Sequence, residues 1–154
     1  MLEKLRIVLV EPSHPGNIGA AARAMKNMGL EQLYLVNPKL FPHADATARA
    51  SGADDILAKA EVCESLDQAL AGCGLVVGAS ARLRRLSIPQ WNPRECAEKI
   101  WAEDASSDTA IVVWREHAGL TNEELGRCHQ LAPIPCNPDY SSLNLAAAVQ
   151  GFCD

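Results

Sequence analysis

Apolar positions along the chain fall into short runs divided by turn chemistry. Leu5-Arg6-Ile7-Val8-Leu9-Val10 predicts a first strand, and Glu11-Pro12-Ser13-His14-Pro15-Gly16 after it is turn-rich. Asn17 suits the N-cap of a helix running from Ile18 to Met28, with Gly29 as its stop. Leu33 to Val36 predicts a second strand, ended by Asn37-Pro38. From Ala44 to about Ala60 the alanine-rich text is helical but broken at Ser51-Gly52, and Leu66 to Ala71 predicts another short helix.

Leu75-Val76-Val77-Gly78 is nearly continuous in apolar character, as a parallel strand covered on both faces should be. A polar connection carrying Arg82, Arg84, Arg85 and Pro89 leads to a helix from about Pro93 to Ala102. Thr109 to Trp114 is a strong strand. Thr121-Asn122-Glu123-Glu124 forms a capping box, Ala132 to Pro135 a short strand, and Leu143 to Phe152 a final helix. Strands alternating with helices predict an α/β domain built on a mainly parallel sheet with helices on both faces. No repeat or linker interrupts residues 1–154, so a single domain is expected.

Composition narrows the class. At 154 residues, 48% hydrophobic and 21% charged, the chain can bury a full core without disulfides or a structural metal. No apolar run approaches a membrane span, and Met1 to Arg6 lacks the zones of a signal peptide, so a cytoplasmic location is expected. Cys63, Cys73, Cys96, Cys128, Cys136 and Cys153 contain no C-x-x-C pair and read as reduced, mostly buried thiols. Cys128-His129 with Cys136 lacks a fourth ligand, and no metal is expected. The net charge of −5 argues against a protein that coats nucleic acid. It leaves room for a local basic site. Arg82, Arg84 and Arg85 form the dense cationic cluster, while acidic residues gather at 54–67.

Ligands of parallel α/β sheets bind beyond the carboxyl ends of the strands, which singles out three loops. The first, Glu11 to Gly19, brings Gly16-Asn17-Ile18-Gly19 to a helix N-terminus but lacks both the P-loop and the dinucleotide fingerprint. Arg23 follows among Ala20, Ala21, Ala22 and Ala24, and reads equally as a surface residue or as one aimed at a ligand phosphate. The second loop, Gly78-Ala79-Ser80-Ala81-Arg82, is small enough for a ligand to approach backbone. The third is Trp114-Arg115-Glu116-His117-Ala118-Gly119-Leu120, joined by Pro138 to Leu145. There Ser142 suits a helix cap, whereas Asn144 in an Ala/Leu helix has little structural rationale. No Ser, His and Asp arrangement suggests a hydrolase.

Three ordered stretches carry a family likeness. Glu11-Pro12-Ser13-His14-Pro15-Gly16-Asn17-Ile18-Gly19-Ala20-Ala21-Ala22-Arg23-Ala24-Met25-Lys26, Gly119 to Leu125, and Tyr140-Ser141-Ser142-Leu143-Asn144-Leu145-Ala146 closely resemble the motifs of the SPOUT-class RNA 2′-O-ribose methyltransferases. The likeness runs from residue 5 to about 150. It implies a domain whose C-terminal part is threaded into a trefoil knot, a homodimer, and S-adenosyl-L-methionine bound in the knot loops. The implied reaction is 2′-O-methylation of tRNA at nucleotide 32, cytidine or uridine, in the anticodon loop. By motif match Arg23, Ser142, Asn17 and Asn144 are the catalytic candidates, with Asn17 and Arg23 facing ribose and phosphate. Ala79, Ser80, Trp114, Glu116, Gly119, Ile134 and Leu143 would line the cofactor.

Methyl transfer from a sulfonium is an in-line displacement, so positioning carries much of the acceleration. A guanidinium stays protonated at neutral pH, which makes Arg23 an electrostatic clamp rather than a general base. Two departures from the family pattern stand out. Val113-Trp114-Arg115-Glu116 replaces the usual Phe-Gly-Arg-Glu, placing the bulkiest side chain in a cofactor loop, and the family's C-terminal helical extension is absent from this sequence. The competing expectation is an RNA-binding pseudoenzyme whose cofactor binding is impaired by Trp114.

Overall fold

The computed structural model describes residues 4–12, 15–80, 107–113 and 130–133. Ten elements occur within them. In chain order they are β1 (Leu5–Val10), α1 (Pro15–Asn27), β2 (Gln32–Val36), α2 (Ala44–Ala50), α3 (Asp54–Ala58), β3 (Glu61–Cys63), α4 (Leu66–Leu70), β4 (Cys73–Ser80), β5 (Asp108–Val113) and β6 (Gln130–Pro133). The strands form one six-stranded sheet in the order β3-β2-β1-β5-β4-β6, and every pairing is parallel.

Period-two alternation sorts the strand residues onto two faces. Leu5, Ile7, Leu9, Leu33, Leu35, Leu75, Val77, Ile111 and Val113 share one cluster with Ile18, Ala21, Ala22, Ala24 and Met25 of α1, Ala46 and Ala50 of α2, and Ile56 and Leu57 of α3. Val8, Val10, Val36, Val76, Ala110 and Val112 share the other with Leu66 and Ala69 of α4. With both faces covered, β1 is buried along its whole length, which explains why five of its six residues are apolar.

Helix α1 begins at Pro15, two residues before the N-cap predicted at Asn17. Proline needs no partner for a first-turn N–H that it lacks, and its fixed φ already suits the helix. Asn17 therefore lies inside the first turn. The predicted stop at Gly29 is the observed one: Gly29 has φ 78°, its N–H donates to Lys26 O, and Leu30 N–H donates to Met25 O at 2.8 Å. These are the paired bonds of a Schellman motif. The break at Ser51-Gly52 likewise separates α2 from α3, with Ser51 in the left-handed region.

Gly19 sets the distance between α1 and α2. A Cβ there would overlap the Ala46 carbonyl oxygen and approach Ala50 N to 2.9 Å, so only glycine permits the two helices to lie this close. Arg6 is the buried exception on β1, 6% exposed. Its Nη1 donates to the carbonyls of Ala69 (2.7 Å) and Ala71 (2.8 Å), its Nη2 to Asp108 Oδ2 (2.8 Å), and its guanidinium lies 4.4 Å over the Tyr34 ring. One side chain thereby joins β1, β2, β5 and the turn after α4.

Three boundaries differ from the sequence reading. Gly78, Ala79 and Ser80 are still strand, pairing with Val112, Val113 and the β6 backbone, so the second loop starts after Ser80. β6 spans Gln130–Pro133 rather than Ala132 to Pro135. β3 has no counterpart in the sequence reading, because two of its three residues are exposed and only pairing with β2 defines it. The helices predicted near 93–102, from 121, and at 143–152 lie outside the described residues. Among the described residues no helix is long and apolar enough to cross a membrane.

Candidate functional site

Because all strands point one way, their carboxyl ends form a single edge, and the register gives its order. Leu9 pairs with Val113, Val113 with Ala79, and Ser80 with Pro133. The connections that leave after residues 10, 113, 80 and 133 thus start side by side. These are the three loops flagged by sequence, together with the segment entered after β6.

The strand order also creates a switch point. From β1 the chain moves through α1 to β2 on one side, whereas β6, the next strand after β5, lies beyond β4 on the other. Connections departing in opposite directions leave a crevice at the carboxyl ends of β1 and β5, the place where open α/β sheets bind ligands. The α1 first turn borders it on one side and the carboxyl end of β5 at Val113 on the other.

Backbone geometry fixes the β1 side of this crevice. Glu11 adopts φ 49°, and its N–H donates to Val36 O at 2.7 Å. Asn37, at φ 47°, donates from its backbone to Cys63 O and from Nδ2 to Glu64 O, while Lys39 N–H reaches Pro12 O. Two left-handed residues at adjacent strand ends turn both chains sharply and tie the start of the first loop to β2. A non-glycine residue in that region is uncommon, and such strain concentrates at functional edges.

The catalytic candidates separate on this frame. Asn17 is 3% exposed, so its side chain belongs to the packed interior of the first turn. Arg23 is exposed, and among the described residues no hydrogen bond or ion pair engages it. Six residues apart on one helix, the two point about 120° away from each other. They do not converge on a single point. Ala79 and Ser80 end β4 at the edge between Val113 and the β6 terminus. Ser142, Asn144, Trp114, Glu116, Gly119, Ile134 and Leu143 lie outside the described residues.

The remaining chemistry is inert by comparison. Cys63 and Cys73 are free thiols. Burial pushes both above their ordinary range; at Cys73 it outweighs the neighbouring Arg6 guanidinium, which acts the other way. Thiols held protonated are poor nucleophiles. On the surface, Lys26 Nζ lies 2.9 Å from Asp55 Oδ1, a hydrogen bond that lowers the Asp55 carboxyl below its ordinary value.

Sequence reasoning missed two arginines. Arg6 was legible only as a polar intrusion in an apolar strand. Arg49, on α2, lies against Gly16 at the start of α1, and the signal for it was the same alanine-flanked setting that drew attention to Arg23.

Known proteins share this arrangement. A tRNA (cytidine/uridine/adenosine-2′-O-)-methyltransferase TrmJ of Pseudomonas aeruginosa is 59% identical over 151 residues, covering 97% of this chain and 59% of the relative. The tRNA (cytidine/uridine-2′-O-)-methyltransferase TrmJ of Escherichia coli K12 is 57% identical over 150 residues, covering 97% and 61%. The chain therefore spans about three fifths of the length of these relatives. Among solved structures, a probable methylase family protein from Haemophilus influenzae Rd KW20 superposes with a TM-score of 0.89 at 56% identity, covering 99% of this chain and 64% of that one. The match to the SpoU rRNA Methylase family extends over residues 4–153, and the chain belongs to that family.

Proposed function

We propose that this domain transfers a methyl group from S-adenosyl-L-methionine to a ribose 2′-hydroxyl of tRNA, at nucleotide 32 of the anticodon loop, cytidine or uridine. The observation that carries the reading is the 57–59% identity, over 97% of the chain, to proteins named for 2′-O-methylation of tRNA. A protein of the same fold from Sinorhizobium meliloti is an rRNA methyltransferase solved with AdoMet bound, at a TM-score of 0.69. That likeness supports the fold as one able to hold the cofactor.

The strand edge fits such a ligand. Gly78-Ala79-Ser80 are small residues that end β4 between the neighbouring ends of β5 and β6. In this reading Ala79, Ser80, Trp114, Glu116, Gly119, Ile134 and Leu143 hold the cofactor, whose sulfonium supplies the methyl group and departs as a neutral thioether. The ribose oxygen would gain the methyl group while its proton passes to a substrate phosphate, since a guanidinium cannot accept it. Arg23, permanently charged and exposed, clamps the RNA phosphate and polarises the hydroxyl. Ser142 and Asn144 orient that hydroxyl, and the buried Asn17 acts through the first turn, holding it in shape. The C-terminal segment forms the trefoil knot, and two copies assemble as a cytoplasmic homodimer.

Incubation of the chain with methyl-labelled S-adenosyl-L-methionine and an unmodified tRNA transcript tests this. Label recovered as a 2′-O-methyl group at nucleotide 32 is the expected result. Label at another nucleotide overturns the position, and RNA binding without transfer overturns the enzymatic reading in favour of a pseudoenzyme.

A further inference from the structure

We propose that Arg49 is a second phosphate contact for the RNA substrate, acting beside Arg23 on the exposed surface shared by α1 and α2. The inference rests on the reading above that the substrate is RNA.

Arg49 is placed by its packing. Its Cγ lies 3.5 Å and its Nη1 3.7 Å from where a Cβ on Gly16 would sit, so the side chain runs along bare backbone at the start of α1. The glycine at position 19 brings α2 close enough for that contact. Gly16 and Arg23 are seven residues apart, which puts them on one stripe of α1 about 10 Å apart. Arg49 therefore stands at the start of this stripe, next to the carboxyl edge of the sheet, and Arg23 about two turns further along it.

Among the described residues no side-chain partner holds either cation, and what distinguishes them from the equally unpaired Lys39 and Lys59 is the stripe of α1 they share. The Arg6 terminal nitrogens donate to two carbonyls and Asp108, and Lys26 donates to Asp55. Among the described residues neither the Arg23 nor the Arg49 side chain makes a hydrogen bond or ion pair, and the first turn of α1 contains no acidic residue. The positive end of the α1 dipole adds to the field that Arg49 experiences instead of relieving it. Two exposed guanidinium groups along one stripe, neither ion-paired even though Asp45 stands one turn before Arg49, suit a polyanion, since each can take a phosphate bidentately. A merely structural role for Arg49 is its place in the last turn of α2, where a cation favours the helix C-terminus.

The two roles separate experimentally. Parent, Arg49→Ala and Arg49→Lys chains are compared in methyl transfer to an unmodified tRNA transcript across a range of KCl, with thermal melts alongside. In Arg49→Ala the KM for tRNA should rise about tenfold with kcat changed less than about twofold. The slope of log affinity against log salt should fall by roughly 0.7–0.9, one phosphate's worth. Arg49→Lys should restore the slope. An unchanged KM and slope, or a loss of activity that tracks a lowered melting temperature, overturns the proposal. Filter binding of the same transcript reads the slope even without turnover. A parent that binds RNA but transfers nothing thus fails the enzymatic reading alone, and a parent that does not bind RNA fails both.

Discussion

Gly19→Ala puts two opposing effects in competition. Replacing glycine by alanine inside an exposed helix normally stabilises by about 1 kcal/mol through helix propensity. At position 19 the new methyl group would overlap the Ala46 carbonyl oxygen and lie 2.9 Å from Ala50 N. Both are backbone atoms of α2, so no side-chain rotation relieves the overlap and the helices must separate. Overpacking of this kind costs about 1–3 kcal/mol, and a rigid neighbour belongs at the upper end. A net loss of about 2 kcal/mol follows, which lowers the melting temperature of a domain this size by roughly 4–8 °C. Gly16→Ala is the matched control. Its methyl group would meet Arg49 Cγ at 3.5 Å, an ordinary contact with a flexible stem, and stability should stay within about 0.5 kcal/mol. Urea unfolding of both variants with unchanged m-values is the measurement. A Gly19→Ala variant as stable as the parent, or the same shift in both variants, would refute the close-approach argument.

Arg6→Met should destabilise by about 2–4 kcal/mol in urea unfolding, less than a fully buried pair because Asp108 is 26% exposed; a loss under about 0.5 kcal/mol contradicts the joining role. Burial holds the Cys73 thiol above its ordinary 9.0, so the folded chain keeps that proton longer than the unfolded one. The resulting stability is complete below pH 9.0 and fades as pH rises through the folded value, and Cys73→Ser should flatten this alkaline decline in a pH series of melts. Arg23→Ala should abolish most methyl transfer while leaving the melting temperature unchanged, and parental transfer in a single-turnover assay removes Arg23 from the mechanism. Trp114→Gly should tighten S-adenosyl-L-methionine binding roughly five- to a hundred-fold in calorimetry if the indole crowds the pocket; equal or weaker affinity leaves Trp114 a tolerated substitution.

Local signals in the sequence were read well where the structure is local. β1, the Gly29 stop and the Ser51-Gly52 break are each written in a few adjacent residues. What escaped depends on distant partners. Arg6 looks misplaced until Asp108, 102 residues away, supplies its counter-charge. β3 carries two exposed residues of three and is a strand only because β2 lies beside it. Asn17 has the chemistry of a cap, yet Pro15 starts the helix sooner, and the asparagine is drawn into the interior. For the site, spacing identified the loops but not which strand ends adjoin. That information lies in the register of β1, β5, β4 and β6, and no sequence period encodes it.

The central place of β5 has a kinetic consequence. Leu5 pairs with Thr109, so about a hundred residues must be synthesised after β1 before its second neighbour exists. At roughly 5–20 residues per second that interval is about 5–20 s. Until then a strand that is buried along its whole length in the folded protein has β2 on one side and a row of open backbone donors and acceptors on the other. β4 waits in the same way, since β5 must slip between it and β1. Joining the two halves of the sheet is thus a late, long-range closure that slows folding, and the nascent chain is most exposed to strand-to-strand aggregation just before residues 108–113 leave the ribosome.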